Sequence, residues 1–187
     1  MSALVNLADN SNVYEVAKVS ALSVATQLSK RFNNRIYLKR EDDQVIHSFK
    51  LRGAYQKMSS MSDEQKSKGV IASSAGNHAQ GVALGASKLQ IKAIIVMPLS
   101  TPNIKVQAVE QLGAEVILHG DVYDDAFHHA KKLEAENDMC FISPYDDFEV
   151  IAGQATVAKE ILSQLEKIDY VFAPVGGGGL ISGMASY

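Results

Sequence analysis

Tryptophan is absent from this 187-residue chain, cysteine occurs once and proline four times. With Cys140 alone no internal disulfide can form, which excludes a disulfide-stapled scaffold and fits a reducing compartment. Long apolar runs are missing too. The stretch Ala93–Met97 is typical, far short of the ~20 residues a membrane helix needs. A formal net charge of −3, with no basic stripe and no repeated aromatic platform, gives nucleic-acid binding no support. The opening residues hold no basic stretch leading into a long apolar one, so no secretory signal is expected and a cytoplasmic location is. What is present is 47% hydrophobic residues, a globular composition too apolar for disorder. A chain of this length makes one medium or two small domains and can bury roughly 70% of its unfolded surface.

Residues 1–12 are polar and weakly patterned and read as a loose arm. A helix is predicted over 21–32, a short strand over 36–39 and a helix over 51–58. Ser62 with Gln65 three residues later has the form of a capping box opening another helix. From residue 70 the pattern alternates. Strands are predicted at 70–73, 92–97, 115–118, 139–142 and 169–173, with helices at 77–89, 104–112, 124–137 and 152–164 between them. Such alternation predicts an α/β fold of βαβ units around a parallel sheet. The last strand runs into glycines 176–179 and a helix start, and the chain stops at Tyr187 inside that helix. A parallel sheet normally continues past this point, so a truncated chain is expected.

Three constellations carry chemistry. The first is Lys50, in a turn before a helix. Alone it reads as a surface cation. Its neighbours Phe49 and Leu51 form an apolar frame that could desolvate the amine, lowering its pKa and leaving a neutral nucleophile or base. The second is Ser73-Ser74-Ala75-Gly76-Asn77-His78, between a strand end and a helix start. Free N–H groups and the helix dipole make this a site for a carboxylate or phosphate. A plain N-cap with small packing residues is the other reading, and His78 is equally compatible with a structural histidine. The third is Gly176, Gly177, Gly178 and Gly179 followed by Leu180. Four glycines after a strand expose a row of N–H donors suited to phosphate, or else form a flexible turn. No Gly-Lys-Ser/Thr follows, so this is not a Walker A loop, and Ile181 stands where a dinucleotide fingerprint needs its third glycine. A phosphorylated aldehyde together with an amino-acid carboxylate would use all three.

The segments Lys39-Arg-Glu-Asp42, Gln44, His47-Ser-Phe-Lys-Leu-Arg-Gly-Ala-Tyr55, Ser74-Ala-Gly-Asn-His-Ala-Gln-Gly81, Ile151-Ala-Gly-Gln154 and Val175-Gly-Gly-Gly-Gly-Leu180 resemble threonine deaminase, in order and spacing. Their form is closer to the biosynthetic branch than to the catabolic one or to serine racemase. Each segment alone is shared across fold-type II pyridoxal-phosphate enzymes. The likeness runs from about Val13 to the end. It implies two open parallel-sheet βαβ lobes of the tryptophan synthase β-like kind, the larger incomplete here. Residues 1–52 and 149–187 would belong to the large cofactor domain and 53–148 to a small mobile one. It implies pyridoxal 5'-phosphate as cofactor, with Lys50 as the Schiff-base lysine that also takes the Cα proton. Phe49 would pack beside the cofactor ring, and Asn77 would bond its phenolic oxygen. Gly176, Gly177, Gly178, Gly179 and Leu180 would bind its phosphate. Ser74, Ala75, Gly76, Asn77 and His78 would surround the substrate carboxylate. The implied reaction is β-elimination and deamination of L-threonine, and of L-serine, to 2-oxobutanoate or pyruvate and ammonia, the first step of isoleucine biosynthesis. Serine racemase or another β-eliminase of the same fold is the alternative within the class. A non-catalytic, anion-binding fragment is the alternative outside it. The partner implied is a small amino acid, with no nucleic acid and no membrane, and a homo-oligomer is implied for the full-length protein.

The chain departs from the resemblance in three places. Ser20-Ala-Leu-Ser23 stands where Thr-Pro-Leu is usual, and Pro144-Tyr-Asp-Asp147 is a variant of a Pro-Phe-Asp-like segment. The segment that would face the cofactor's pyridine nitrogen and the C-terminal regulatory domains are expected beyond this sequence, leaving an unpaired strand edge, exposed apolar faces and a fragment that could be inactive alone. No metal site is expected. His119, His128 and His129 with Asp121, Asp124 and Asp125 lack a ligand pair at helical spacing and read as a solvated face. Glu41, Asp42 and Asp43 show no pairing for acid–base work, and Cys140 reads as core.

Overall fold

The structure, a computed structural model, describes residues 3–187. In chain order its elements are α1 (Ala3–Asp9), β1 (Leu22–Val24), α2 (Thr26–Phe32), β2 (Tyr37–Lys39), α3 (Lys50–Ser59), α4 (Asp63–Lys68), β3 (Val70–Ser73), α5 (Asn77–Leu89), β4 (Ala93–Met97), α6 (Asn103–Glu110), β5 (Glu115–Leu118), α7 (Tyr123–Asn137), β6 (Cys140–Phe141), α8 (Phe148–Gln164) and α9 (Gly179–Ser186). Strands β3 to β6 form a parallel sheet in the order β5-β4-β3-β6. This is the α/β architecture that the alternating pattern predicts.

The sheet is covered on both faces, and strand periodicity decides which residue goes where. Val70 and Ala72 of β3, with Ala93, Ile95 and Met97 of β4, pack under α3, α5 and α6. Their neighbours Ile71, Ile94 and Val96 point the other way, onto Ala126 and Ala130 of α7. A strand buried on both faces reads as a continuous apolar run, which is why 70–73 and 93–97 were legible. The capping box at Ser62 is present: its Oγ accepts from the Gln65 N–H, and the Gln65 side chain accepts from the Ser62 N–H.

Three sequence expectations change. Residues 3–9 of the presumed loose arm form a helix, because Leu4 and Ala8, four residues apart, bury one face against Ala152 and Ala155 of α8. Met1 and Ser2 lie outside the described residues. The helix expected over 21–32 begins only at Thr26, since Leu22–Val24 is taken into an antiparallel pair with Tyr37–Lys39. That pair is the only strand pairing described in the segments assigned to the larger lobe. Residues 169–173 are not a strand: no described strand pairs with them, and Tyr170 and Phe172 stand 83% and 94% exposed. An extended segment without a hydrogen-bonding neighbour has nothing to hold its register.

Helix α8 is the hinge of the packing. It is contacted by α1, α3 and α9. Its crossing with α3 is tight at Gly153, where an added Cβ would lie 2.6 Å from the Arg52 carbonyl oxygen and 2.7 Å from the Gly53 Cα. Lys50 begins α3, so this crossing sets where the lysine emerges.

Candidate active site

Lys50 is the first residue of α3, and its N–H is accepted by the Ser48 Oγ at 3.3 Å. Its side chain is half-buried and donates from Nζ to the Pro144 carbonyl oxygen at 2.6 Å. Nζ also lies 5.6 Å from the centre of the Phe49 ring. Burial holds the Lys50 pKa below the ordinary lysine value. The direction is the one expected of a desolvated amine.

The Ser74–His78 loop leaves the carboxyl end of β3 and opens α5. Its shape comes from two bonds: the Ser74 N–H donates to the Val96 carbonyl oxygen, and the Gly76 N–H donates to Ser74 Oγ. Asn77 is exposed on the first turn, while His78 is buried. The His78 Nε2 lies 2.9 Å from the Ile142 carbonyl oxygen. A carbonyl only accepts, so Nε2 carries the hydrogen. Burial, with the nearby Lys50 charge, pushes the His78 pKa down to about 4 against the pull of the Ile142 bond, leaving a neutral ring at neutral pH. Ser73, at the head of the loop, has a buried hydroxyl oxygen with no hydrogen-bond partner.

The glycine run enters α9. Gly178 is its N-cap at φ 91°, in the left-handed region that favours glycine. Gly176 faces open space, and Leu180 shares a groove with Phe49.

One segment unites these parts. Residues 142–145 follow β6; Ile142 accepts from His78, Pro144 accepts from Lys50, and Tyr145 packs against Gly177 and Gly179. The sequence reading met Pro144 and Tyr145 only as a variant stretch. Its one available signal was a proline–aromatic pair between a strand end and the Asp147 helix cap.

The signature charges also find their use. Glu41 and Glu160 bracket the fully buried Arg52: Nε and Nη2 donate to the two Glu41 oxygens, both at 2.8 Å, and Nη1 donates to Glu160 Oε1 at 2.6 Å. Lys39 Nζ closes on Glu160 Oε2 at 2.6 Å. Burial raises the Glu160 pKa, but the Arg52 and Lys39 contacts outweigh it and hold the carboxyl below its usual value. Removing one partner from such a buried cluster typically costs ~3–5 kcal/mol, so Arg52 is an anchor for α3 two residues from Lys50. Asp42 instead pairs with exposed Arg40. His129 stacks on His119 with ring centres 3.9 Å apart. Among the described residues no group of three or more His, Cys, Asp or Glu side chains gathers to hold a metal ion. Burial pushes the Cys140 thiol up, the opposite of an activated nucleophile. No described helix is long and apolar enough to cross a membrane.

A family profile described as pyridoxal-phosphate dependent enzyme matches residues 18–187. The chain is 55% identical over 185 residues to the biosynthetic L-threonine dehydratase of Haemophilus influenzae, covering 99% of this chain and 36% of that protein. It is 56% identical over 179 residues to the chloroplastic biosynthetic threonine dehydratase of Arabidopsis thaliana, covering 95% of this chain and 30% of the other. Among solved structures, threonine deaminase isoform 2 of Solanum lycopersicum superposes with a TM-score of 0.96 at 50% identity, over 98% of this chain and half of that one. Maize serine racemase gives 0.93 at 33% identity, over 97% of this chain and 55% of that one. The chain thus spans about a third of the length of the curated relatives it matches.

The residues present fit the family's cofactor: a desolvated amine can meet an aldehyde, the open glycine turn at a helix start can take a phosphate, and an unpartnered buried hydroxyl lies at the head of the Ser74–His78 loop. With the family profile covering all but the first 17 residues, this chain belongs to the pyridoxal-phosphate dependent enzymes.

Proposed function

We propose that the protein containing this chain deaminates L-threonine, and L-serine, by β-elimination, giving 2-oxobutanoate or pyruvate and ammonia as the first step of isoleucine biosynthesis. The observation that carries this reading is the Lys50 amine, desolvated, near His78 and docked on Pro144, whose neighbour Tyr145 packs against the glycine turn. The names of the relatives at 55% and 56% identity support it. Pyridoxal phosphate, when bound, supplies an electron sink for the carbanion that forms at the substrate Cα. Lys50 would hold it, Phe49 would lie beside its ring, and Asn77 would bond its phenolic oxygen. The N–H groups of Gly176, Gly177, Gly178 and Gly179, with Leu180, would take its phosphate.

The remaining work belongs to the protein. A lowered pKa keeps more of the Lys50 Nζ unprotonated, and an unprotonated amine is both nucleophile and acceptor for the Cα proton. Ser74, Ala75, Gly76, Asn77 and His78 would receive the substrate carboxylate at the start of α5, where free N–H groups and the dipole favour an anion. A neutral His78 beside Lys50 adds no competing positive charge. In this reading residues 53–148 form the small domain, supported by the four-stranded sheet lying wholly within 70–141, and its approach to the 1–52 and 149–187 part would exclude water. The cytoplasm is the location proposed, although the Arabidopsis relative is named chloroplastic, and self-association is proposed for the full-length protein.

The test is chemical. Borohydride reduction in the presence of pyridoxal phosphate, followed by peptide mass analysis, is expected to place the pyridoxyl group on Lys50 in the wild type, with Lys50→Ala losing both the adduct and threonine turnover. Adduct on other lysines alone would sink the assignment. The structural likeness to maize serine racemase keeps a second reading in view, and chiral analysis of L-serine incubations separates them: pyruvate supports deamination, D-serine supports racemisation. Phosphate binding with no lysine adduct would instead favour an anion-binding module.

A further inference from the structure

Three of the four glycines have a structural reason to lack a side chain. Gly178 has a left-handed φ of 91°. Gly177 has no such constraint, yet a Cβ there would overlap the Tyr145 ring, with Cε1 at 2.5 Å. At Gly179 a Cβ would lie 2.9 Å from both the Cα and the carbonyl oxygen of Tyr145. Tyr145 is thus the surface against which the turn is moulded. The preceding peptide carries the Pro144 carbonyl that holds Lys50 Nζ at 2.6 Å. One short segment therefore meets the amine end and the phosphate end of the candidate site.

We infer that Tyr145 is a positioning residue for the cofactor site, its ring fixing the glycine turn in the form that receives phosphate and coupling that form to the placement of Lys50. The inference rests on the cofactor reading above. A run of four glycines is costly to order, because glycine has the most backbone freedom to lose. A ring lying where a Cβ would sit removes backbone alternatives from the turn. Gly176, which meets nothing, keeps the mouth of the turn open. The flat ring does this work, so phenylalanine serves as well as tyrosine.

Titration of the full chain with pyridoxal phosphate and with pyridoxal separates the phosphate end from the amine end. Tyr145→Phe is expected to keep the wild-type preference for the phosphorylated compound. Tyr145→Ala is expected to lose about tenfold against pyridoxal phosphate, the scale of coupling between contacting residues, and much less against pyridoxal. Gly177→Ala, whose methyl strikes the ring, is expected to be impaired, whereas Tyr145→Ala/Gly177→Ala is expected to be no worse than Tyr145→Ala alone. Circular dichroism checks the fold, and Tyr145→Leu replaces Tyr145→Ala under the same expectations should the latter unfold. An unchanged preference in the alanine or leucine variant, or equal losses for both compounds, overturns the role of Tyr145 while leaving the cofactor reading intact. A wild type that captures neither compound on Lys50 overturns the cofactor reading and this inference together.

Discussion

At the scale of single residues the site is tuned by burial more than by charge pairing. His78 shows the consequence. Its ring is buried and bonded to the Ile142 carbonyl, and burial pushes its pKa down to about 4. In the unfolded chain a histidine titrates at about 6.5. Between those values the unfolded chain binds a proton that the native protein does not, so stability rises with pH through this window and falls as the solution is acidified. Urea unfolding at a series of pH values is expected to show this slope in the wild type. In His78→Gln, which keeps an N–H donor for Ile142 but cannot titrate, the slope is expected to be shallower by up to about 1.4 kcal/mol per pH unit. Identical slopes would mean that His78 is solvated in the native state. The sequence showed His78 as a polar residue at a helix start. It could not show whether the ring was solvated, because the groups that bury it come from a strand end 64 residues away.

At the scale of elements the crossing of α3 and α8 carries the site. The two helices touch through Gly53 and Gly153, where backbone meets backbone. Gly153→Ala places a methyl between the Arg52 carbonyl and the Gly53 Cα, neither of which is the movable end of a side chain. Overpacking of this kind costs about 1–3 kcal/mol, read as an earlier chemical denaturation midpoint. Because α3 begins at Lys50, the same variant is expected to weaken pyridoxal-phosphate capture. Most elements were legible: helices 77–89 and 124–137, the capping box at Ser62 and the strands expected at 70–73 and 92–97 follow from local period and punctuation. The misjudged ones depended on distant partners. Residues 3–9 become a helix because α8 offers a face, and 22–24 becomes a strand because Tyr37–Lys39 lies alongside.

At the scale of the whole molecule one face remains strongly apolar. Tyr170, Phe172 and Val175 are 83%, 94% and 67% exposed, and Phe32 is 60% exposed nearby along the same groove as Tyr170 and Phe172. Exposed apolar surface of this kind promotes association. Tyr170→Lys with Phe172→Lys is expected to lower binding of a hydrophobic dye and concentration-dependent association in sedimentation. Stability should stay within about 0.5 kcal/mol, since neither side chain is packed. A large loss of stability would show that the segment is folded against the rest in solution.

The sequence by itself determined the chemistry on offer: a lysine in an apolar frame, a small-residue turn at a helix start and a glycine run suited to phosphate. It also determined the α/β sheet, because continuous apolar strand runs alternating with punctuated helices are local properties. Only the tertiary structure decided that Ile142, Pro144 and Tyr145 bind those three parts into one place, and that Glu41, Arg52 and Glu160 anchor the helix bearing the lysine. These contacts join residues up to 119 positions apart along the chain, as Glu41 and Glu160 do through Arg52. No local pattern encodes such a meeting; it exists only once α3, α8 and the sheet have packed.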